Sequence, residues 1–261
     1  MSVEYAAKGL IGVLTPQANT TVEPEYAIAT PPGYAWINAR MTSSFGTIEE
    51  RLVDYFGNVH SFLPQFANAP IQSIAFACTG TSYLAGIEAE DRVLKEITTK
   101  TGLPAMSAAT SVCKALNVLG AKKIGLVSPY AGSLDKACTP YWEARGFKVT
   151  SKRNAEWSGE HFHPIYSLNS DSAQACLDKM HGDDVDAIVM LGTGMPTLSP
   201  IVRTPYVGRA PVFSCMLAII WASVAAAGGY EPDRQNLIDW IEARHWKDRM
   251  LAWERASGRG G

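Results

Sequence analysis

Short apolar or β-branched runs, each bounded by Gly, Pro, Ser or Thr, alternate along the chain with longer stretches of helical spacing. Leu10–Thr15, Trp36–Met41, Ile71–Ala77, Lys123–Ser128, Lys148–Ser151, Ala187–Leu191 and Pro211–Ser214 predict strands. Thr47–Leu63, Ser82–Thr101, Ala109–Leu119, Ser133–Arg145, Ser170–Met180 and Met216–Ala227 predict helices. Pro64 stops the first helix, and Thr101-Gly102-Leu103-Pro104 and Leu119-Gly120 stop two others. Strands this uniformly apolar are buried on both faces, which predicts an α/β fold with mainly parallel sheets. From Glu231 to Trp253, apolar Leu237, Trp240, Ile241, Leu251 and Trp253 stand among charges. That spacing predicts an amphipathic helix docked on the body or on a second copy of the chain, a route to a homo-oligomer. The final Ser-Gly-Arg-Gly-Gly is expected to fray.

The pattern also repeats. Ile11-Gly-Val-Leu-Thr-Pro16 recurs as Ile124-Gly-Leu-Val-Ser-Pro129, an offset of 113. Ile74-Ala-Phe-Ala-Cys-Thr-Gly80 recurs as Ile188-Val-Met-Leu-Gly-Thr-Gly194, an offset of 114. Two matches at nearly one offset predict two similar α/β halves with four-stranded, Rossmann-like sheets. The expected divisions are 1–115 with Cys78, 116–228 with Gly192, and a C-terminal extension over 229–261. Ligands of open α/β sheets bind beyond the carboxyl ends of the strands. Those ends carry Thr15 and Pro16, then Cys78, Thr79 and Gly80, in the first half. Ser128, Pro129 and Tyr130, then Gly192, Thr193 and Gly194, match them in the second. A pseudo-two-fold arrangement makes them face each other across one cleft.

Composition narrows the partners. The 261 residues sum to a net charge of −2, with 18% charged and 47% hydrophobic. This balance excludes a disordered chain and a polybasic binder, so neither nucleic acid nor an anionic membrane is an expected partner. The five cysteines are odd in number and include no C-x-x-C pair. They fit reduced thiols, hence a cytoplasmic location, and not a disulfide framework or a zinc site. The Met-Ser-Val-Glu-Tyr start lacks the features of a signal peptide, and Met216–Ala227 is too short to span a bilayer.

Cys78 stands at a strand-to-helix turn, where the positive helix end and backbone N–H groups favour a reactive thiol; a small buried cysteine beside a tight turn is the structural alternative. Pro16-Gln-Ala-Asn19-Thr20-Thr21 is rich in donors, and Asn19 suits either substrate contact or a helix cap. Tyr130 offers a phenolic hydrogen bond, or is a capping aromatic. Gly192-Thr193-Gly194 supplies donors without bulk, or is an ordinary turn, and it lacks the frame of a nucleotide fingerprint. His161-Phe-His163 has no third ligand at a convincing spacing, so no metal is expected and His161 is taken as a substrate contact. His60, His181 and His245 belong on the surface. No serine occupies a G-x-S-x-G elbow.

Ile11-Gly-Val-Leu-Thr-Pro-Gln-Ala-Asn-Thr-Thr-Val-Glu resembles the opening of maleate cis–trans isomerases. Cys78-Thr-Gly-Thr-Ser-Tyr-Leu-Ala-Gly86, Thr101-Gly-Leu-Pro104, Ala115-Leu-Asn-Val-Leu-Gly-Ala121 and Ser128-Pro-Tyr130 look like stretches of those isomerases and of arylmalonate decarboxylases. Both belong to the aspartate/glutamate racemase superfamily, and the resemblance runs from about residue 9 to 228. It implies two pseudo-symmetric domains, no cofactor, no metal, and a cleft where up to two cysteines face a small carboxylate. Here the first cysteine is Cys78, while Gly192 stands at the second position. Arylmalonate decarboxylases also keep one cysteine, but theirs resembles the second, so this chain looks like the mirror arrangement.

Two-base racemisation needs an acid and a base on opposite faces, which one thiol does not provide. Decarboxylation of a substituted malonate needs one proton donor and a cradle for an enediolate. By resemblance the cradle is Thr79, Gly80, Tyr130, Thr193 and Gly194, with Cys78 as the acid and Pro16, Asn19 and His161 contacting substrate. The alternative is maleate isomerisation, with Cys78 adding to the double bond as a thiolate and Asn19 and Tyr130 holding carboxylates. Cys215 is a candidate second thiol, or a buried apolar residue. A non-catalytic small-acid binder is a third class. Carbon–carbon cleavage is the leading expectation.

Overall fold

Both strand pairs marked by the repeat are neighbours in space. The computed structural model describes residues 3–156 and 164–258. The first lobe comprises β1 (Gly9–Pro16), α1 (Val22–Ala29), β2 (Tyr34–Met41), α2 (Ile48–Gly57), α3 (Val59–Phe62), β3 (Ser73–Phe76), α4 (Thr79–Ala85), α5 (Ile87–Thr101) and β4 (Ala105–Ser107). After α6 (Ala108–Leu119) the second follows as β5 (Lys123–Ser128), α7 (Gly132–Ala144), β6 (Lys148–Asn154), α8 (Ser170–Asp178), β7 (Ala187–Met190), α9 (Leu198–Arg203), β8 (Tyr206–Val207) and β9 (Ala210–Ser214). Helices α10 (Cys215–Ala227), α11 (Arg234–Ile241) and α12 (Lys247–Ala256) complete the chain.

The sheets run β2-β1-β3-β4 and β6-β5-β7-β9-β8, parallel throughout except for the β8–β9 pair. Even the register repeats: Gly12 lies opposite Ile74, and Gly125 opposite Ile188. These two glycines serve close packing. A Cβ on Gly12 would stand 2.9 Å from Ile71 Cδ1, and one on Gly125 would stand 2.5 Å from Met180 Cε. All residues of β1, β3, β7 and β9 are buried, as their unbroken apolar runs require.

The second sheet has five strands instead of the four expected, because the chain turns at Gly208 and adds β8 as a short antiparallel edge. The edge strand β4 and the helix α1 were not among the elements read from the pattern; both are short. The helix expected over Thr47–Leu63 divides at Gly57-Asn58, and the one expected over Ser82–Thr101 divides at Gly86. Gly86 has φ of +81°, a left-handed conformation that ends α4 and starts α5. The amphipathic tail likewise forms two helices, broken at Ala243 with φ of +56°. No helix among the described residues is long and apolar enough to cross a membrane.

Helix α10 follows the second sheet but packs on the first, which its nearly all-round apolar surface allows. Ser73 Oγ on β3 donates to Ser223 O at 3.0 Å, and the Tyr26 and Ser223 hydroxyls pair at 3.2 Å. α11 and α12 dock on the body: Asn236 Oδ1 accepts from Trp221 Nε1 at 2.8 Å, and Arg249 donates to Ile28 O at 2.5 Å.

Glu25 of α1 crosses the seam between lobes. Its carboxylate accepts from the N–H groups of Thr197, at 2.5 Å, and Leu198, at 3.2 Å, so it caps α9. Burial pushes its carboxyl from 4.5 up to about 7 against those hydrogen bonds. The folded chain therefore binds this proton more tightly than the unfolded chain. The resulting stabilisation is complete below about pH 4.5 and disappears as pH rises through 7. A shift of this size corresponds to a contribution on the order of 3 kcal/mol. Glu25→Gln keeps the size and one acceptor, so thermal melts between pH 5 and pH 8 should show a flatter decline than in the parent; an unchanged slope would count against this assignment.

Candidate active site

The carboxyl ends of β1, β3, β5 and β7 meet at a small cavity. Its walls are Pro16, Asn19, Cys78, Gly80, Tyr130, Thr193 and Gly194, together with Ile48, Leu52 and Tyr55 of α2 and Ile165 and Tyr166. Seven of the ten positions singled out from the sequence therefore converge. Thr79 stands behind the wall, Gly192 lies next to Thr193, and His161 lies outside the described residues. The space open to the centre of a water molecule is about 30 Å³, so the cleft is narrow.

Cys78 is the N-cap of α4, with extended backbone at φ −149° and ψ 119°. Its sulfur accepts from Thr81 Oγ1 at 3.2 Å and faces the N–H groups of Gly80 and Thr81. These donors favour the thiolate, but burial outweighs them and pushes the thiol above its ordinary value. The lining among the described residues includes no Lys, Arg, His, Asp or Glu to reverse that balance. Burial thus favours the neutral thiol form of Cys78. Cys215 is fully buried and hydrogen-bonds Thr79 from behind, away from the cavity wall. It serves as a packing residue, not a second thiol of the cleft.

The polar wall is assembled across the lobes. Thr193 Oγ1 donates to Ala77 O at 2.9 Å and accepts from Asn19 Nδ2 at 3.3 Å. Its hydroxyl proton is thus committed, leaving its backbone N–H as the donor it can offer a ligand. Thr21 Oγ1 donates to Gly194 O at 2.8 Å. Asn19 lines the cavity and takes up the capping role read from the sequence, its Oδ1 accepting from the N–H groups of Thr21 and Val22 at the start of α1. Tyr130 OH pairs with Thr79 Oγ1 at 2.6 Å. With Thr79 donating, the phenolic proton is left to the cleft.

Several functional positions escaped the sequence reading. Arg40, at the end of β2, donates to Pro16 O at 3.1 Å and Asn19 O at 2.8 Å and pairs with Glu23, holding the β1–α1 loop from behind. Nothing local marks that role. Ile48, Leu52 and Tyr55 do have a signal, the i, i+4, i+7 stripe of an amphipathic helix. Such a stripe signifies burial, and here what it covers is the thiol.

The arylmalonate decarboxylase family model matches residues 11–235. The chain belongs to that family. Among its relatives, the maleate isomerase of Alcaligenes faecalis is 26% identical over 227 residues, covering 81% of this chain and 87% of its own. Two solved structures share the fold. A Nocardia farcinica maleate cis–trans isomerase, a cysteine-to-serine variant with a covalently bound succinylcysteine intermediate, superposes with a TM-score of 0.72 at 23% identity, covering 84% of this chain and 92% of its own. A liganded arylmalonate decarboxylase variant, with one glycine changed to cysteine and one cysteine to serine, gives 0.71 at 19%, covering 85% and 93%. The named members of the family are enzymes.

Gly192, expected from the sequence at a second-cysteine position, has φ of +81°. A Cβ there would overlap Pro129 Cγ and stand 2.7 Å from Ile165 Cδ1. Gly192→Ala should therefore cost about 1–3 kcal/mol in denaturant unfolding, through backbone strain and overpacking. Peptide-resolved alkylation of Cys78 should keep accelerating with pH beyond the ordinary cysteine range; a plateau below neutrality would contradict the uncharged thiol.

Proposed function

We propose that this protein is a cofactor-independent carboxy-lyase that removes one carboxylate from a small substituted malonate. The observation supporting this most directly is the buried Cys78, whose neutral thiol form burial favours and whose cleft is lined by neutral donors and by the apolar Ile48, Leu52 and Ile165. Tyr130 O–H, Asn19 Nδ2–H and the N–H groups of Thr193 and Gly194 hold one carboxylate. The second, against the apolar wall, leaves as carbon dioxide. The electrons of the broken carbon–carbon bond pass into an enediolate whose oxygens those donors stabilise. Cys78 then gives its S–H proton to the carbon, and the thiolate recovers a proton from solvent. Delivery from a single fixed sulfur makes one enantiomer when the carbon carries two different substituents besides hydrogen and the remaining carboxylate.

Maleate isomerisation is the second reading, favoured by the 26% identical relative. It requires Cys78 as a thiolate nucleophile, stabilised by the N–H groups of Gly80 and Thr81 against burial. The decarboxylase reading needs no such ionisation.

Incubation with 2-methyl-2-phenylmalonate or with maleate, in deuterated water, separates the two. Decarboxylation releases carbon dioxide and leaves one solvent deuterium on the product carbon, in enantiomeric excess. Cys78→Ala should lower the rate by at least about a thousandfold while keeping the fold by circular dichroism. Conversion of maleate to fumarate without carbon dioxide from the malonate would overturn the proposal in favour of the second reading.

A further inference from the structure

Glu90 of α5 is completely buried and lies outside the cleft. One carboxylate oxygen accepts from Ser82 Oγ of α4 at 2.6 Å and from Ser107 Oγ, the N-cap of α6, at 2.5 Å. The other accepts from the Tyr141 hydroxyl of α7 and from Arg145 Nη2 at 2.6 Å, just past the end of α7. Two donors thus come from its own lobe and two from the other. Arg145 is further held by exposed Asp91, through contacts of 2.7 and 3.1 Å.

The two helices so joined are those of the cleft. α4 has Cys78 as its N-cap, and α7 begins two residues after Tyr130. At their near ends Thr79 and Tyr130 meet at 2.6 Å. Farther along, Glu90 links Ser82, in the middle of α4, to Tyr141 and Arg145 at the end of α7. Tyr83 fills the space between, with its ring centroid 5.7 Å from that of Tyr130 and 5.1 Å from that of Tyr141. The same two helices are thus joined at two separate places.

We propose that Glu90 is a positioning residue: by tying α4 of one lobe to α7 of the other, it fixes the Thr79–Tyr130 hydroxyl pair and keeps the cleft closed over Cys78. The proposal rests on the cleft described for the proposed function but not on its reaction. A carboxylate suits the task because all four groups around it are donors. In Glu90→Gln the charge that pairs with Arg145 is lost, and hydroxyls facing the amide nitrogen must turn from donor to acceptor, at unchanged size.

The test is the peptide-resolved rate of Cys78 alkylation by iodoacetamide, well below each variant's melting temperature. Glu90→Gln should alkylate about tenfold faster than the parent as the open form gains population, and Glu90→Asp should fall between them. Asp91→Asn removes the exposed partner of the same arginine and should match the parent. A lower melting temperature in Glu90→Gln with Cys78 alkylation within about twofold of the parent would reduce Glu90 to a stabilising residue and overturn the proposal. Equal acceleration in Asp91→Asn would do the same. Should Glu90→Gln not fold, Tyr141→Phe removes one inter-lobe bond and should still accelerate alkylation about threefold; an unaltered rate there would also overturn it. Failure of the parent to turn over a malonate defeats the reaction proposed above and leaves this measurement intact.

Discussion

Taking a thiol out of water with no cation among the described residues of its lining is the constraint around which this site is built. Burial favours the neutral sulfur, and the N–H groups at the start of α4 do not overcome it. The same dryness obliges every neighbouring polar group to find a partner, because an unsatisfied one costs about 1–3 kcal/mol. Those partners lie across the lobes: Thr193 with Ala77 and Asn19, Thr21 with Gly194, Tyr130 with Thr79. Closing the lobes and completing the site are therefore one event.

The seam is stitched by both polar and apolar means. α10 leaves the second sheet to cover the first, bringing Ser223 to Ser73 and Tyr26. Glu25 and Glu90 span the seam as buried carboxylates in contrasting settings. Glu25 has hydrogen-bond donors but no cationic partner among the described residues, and burial pushes its carboxyl up to about 7. Glu90 is met directly by the Arg145 guanidinium, which compensates its charge. One carboxylate thereby makes stability depend on pH near neutrality, while the other supplies a charge-assisted tie.

Much of the architecture was legible because it is written in local apolar runs. The offsets of 113 and 114 marked β1 and β3 and their counterparts β5 and β7. The structure adds that the two strands of each pair are sheet neighbours in matching register, Gly12 opposite Ile74 and Gly125 opposite Ile188. Strand ends then led to Cys78, Asn19, Tyr130, Thr193 and Gly194, since position on a sheet largely determines what faces its carboxyl edge. What stayed hidden depends on distant segments meeting. Arg40 and Glu90 look like ordinary surface charges until their partners arrive from other elements. The breaks at Gly57-Asn58 and Gly86 were hidden differently, because the apolar spacing continues across them and only the backbone changes course. β4 and β8 are too short for a period-2 pattern to register.

Gly192 bears on the shape of the cleft. Its left-handed backbone and the Pro129 ring pressed against it leave no volume for a side chain. Any side chain placed there must push aside the Pro129 ring and the Ile165 side chain, so a change of residue at this corner of the cleft is also a change of its shape.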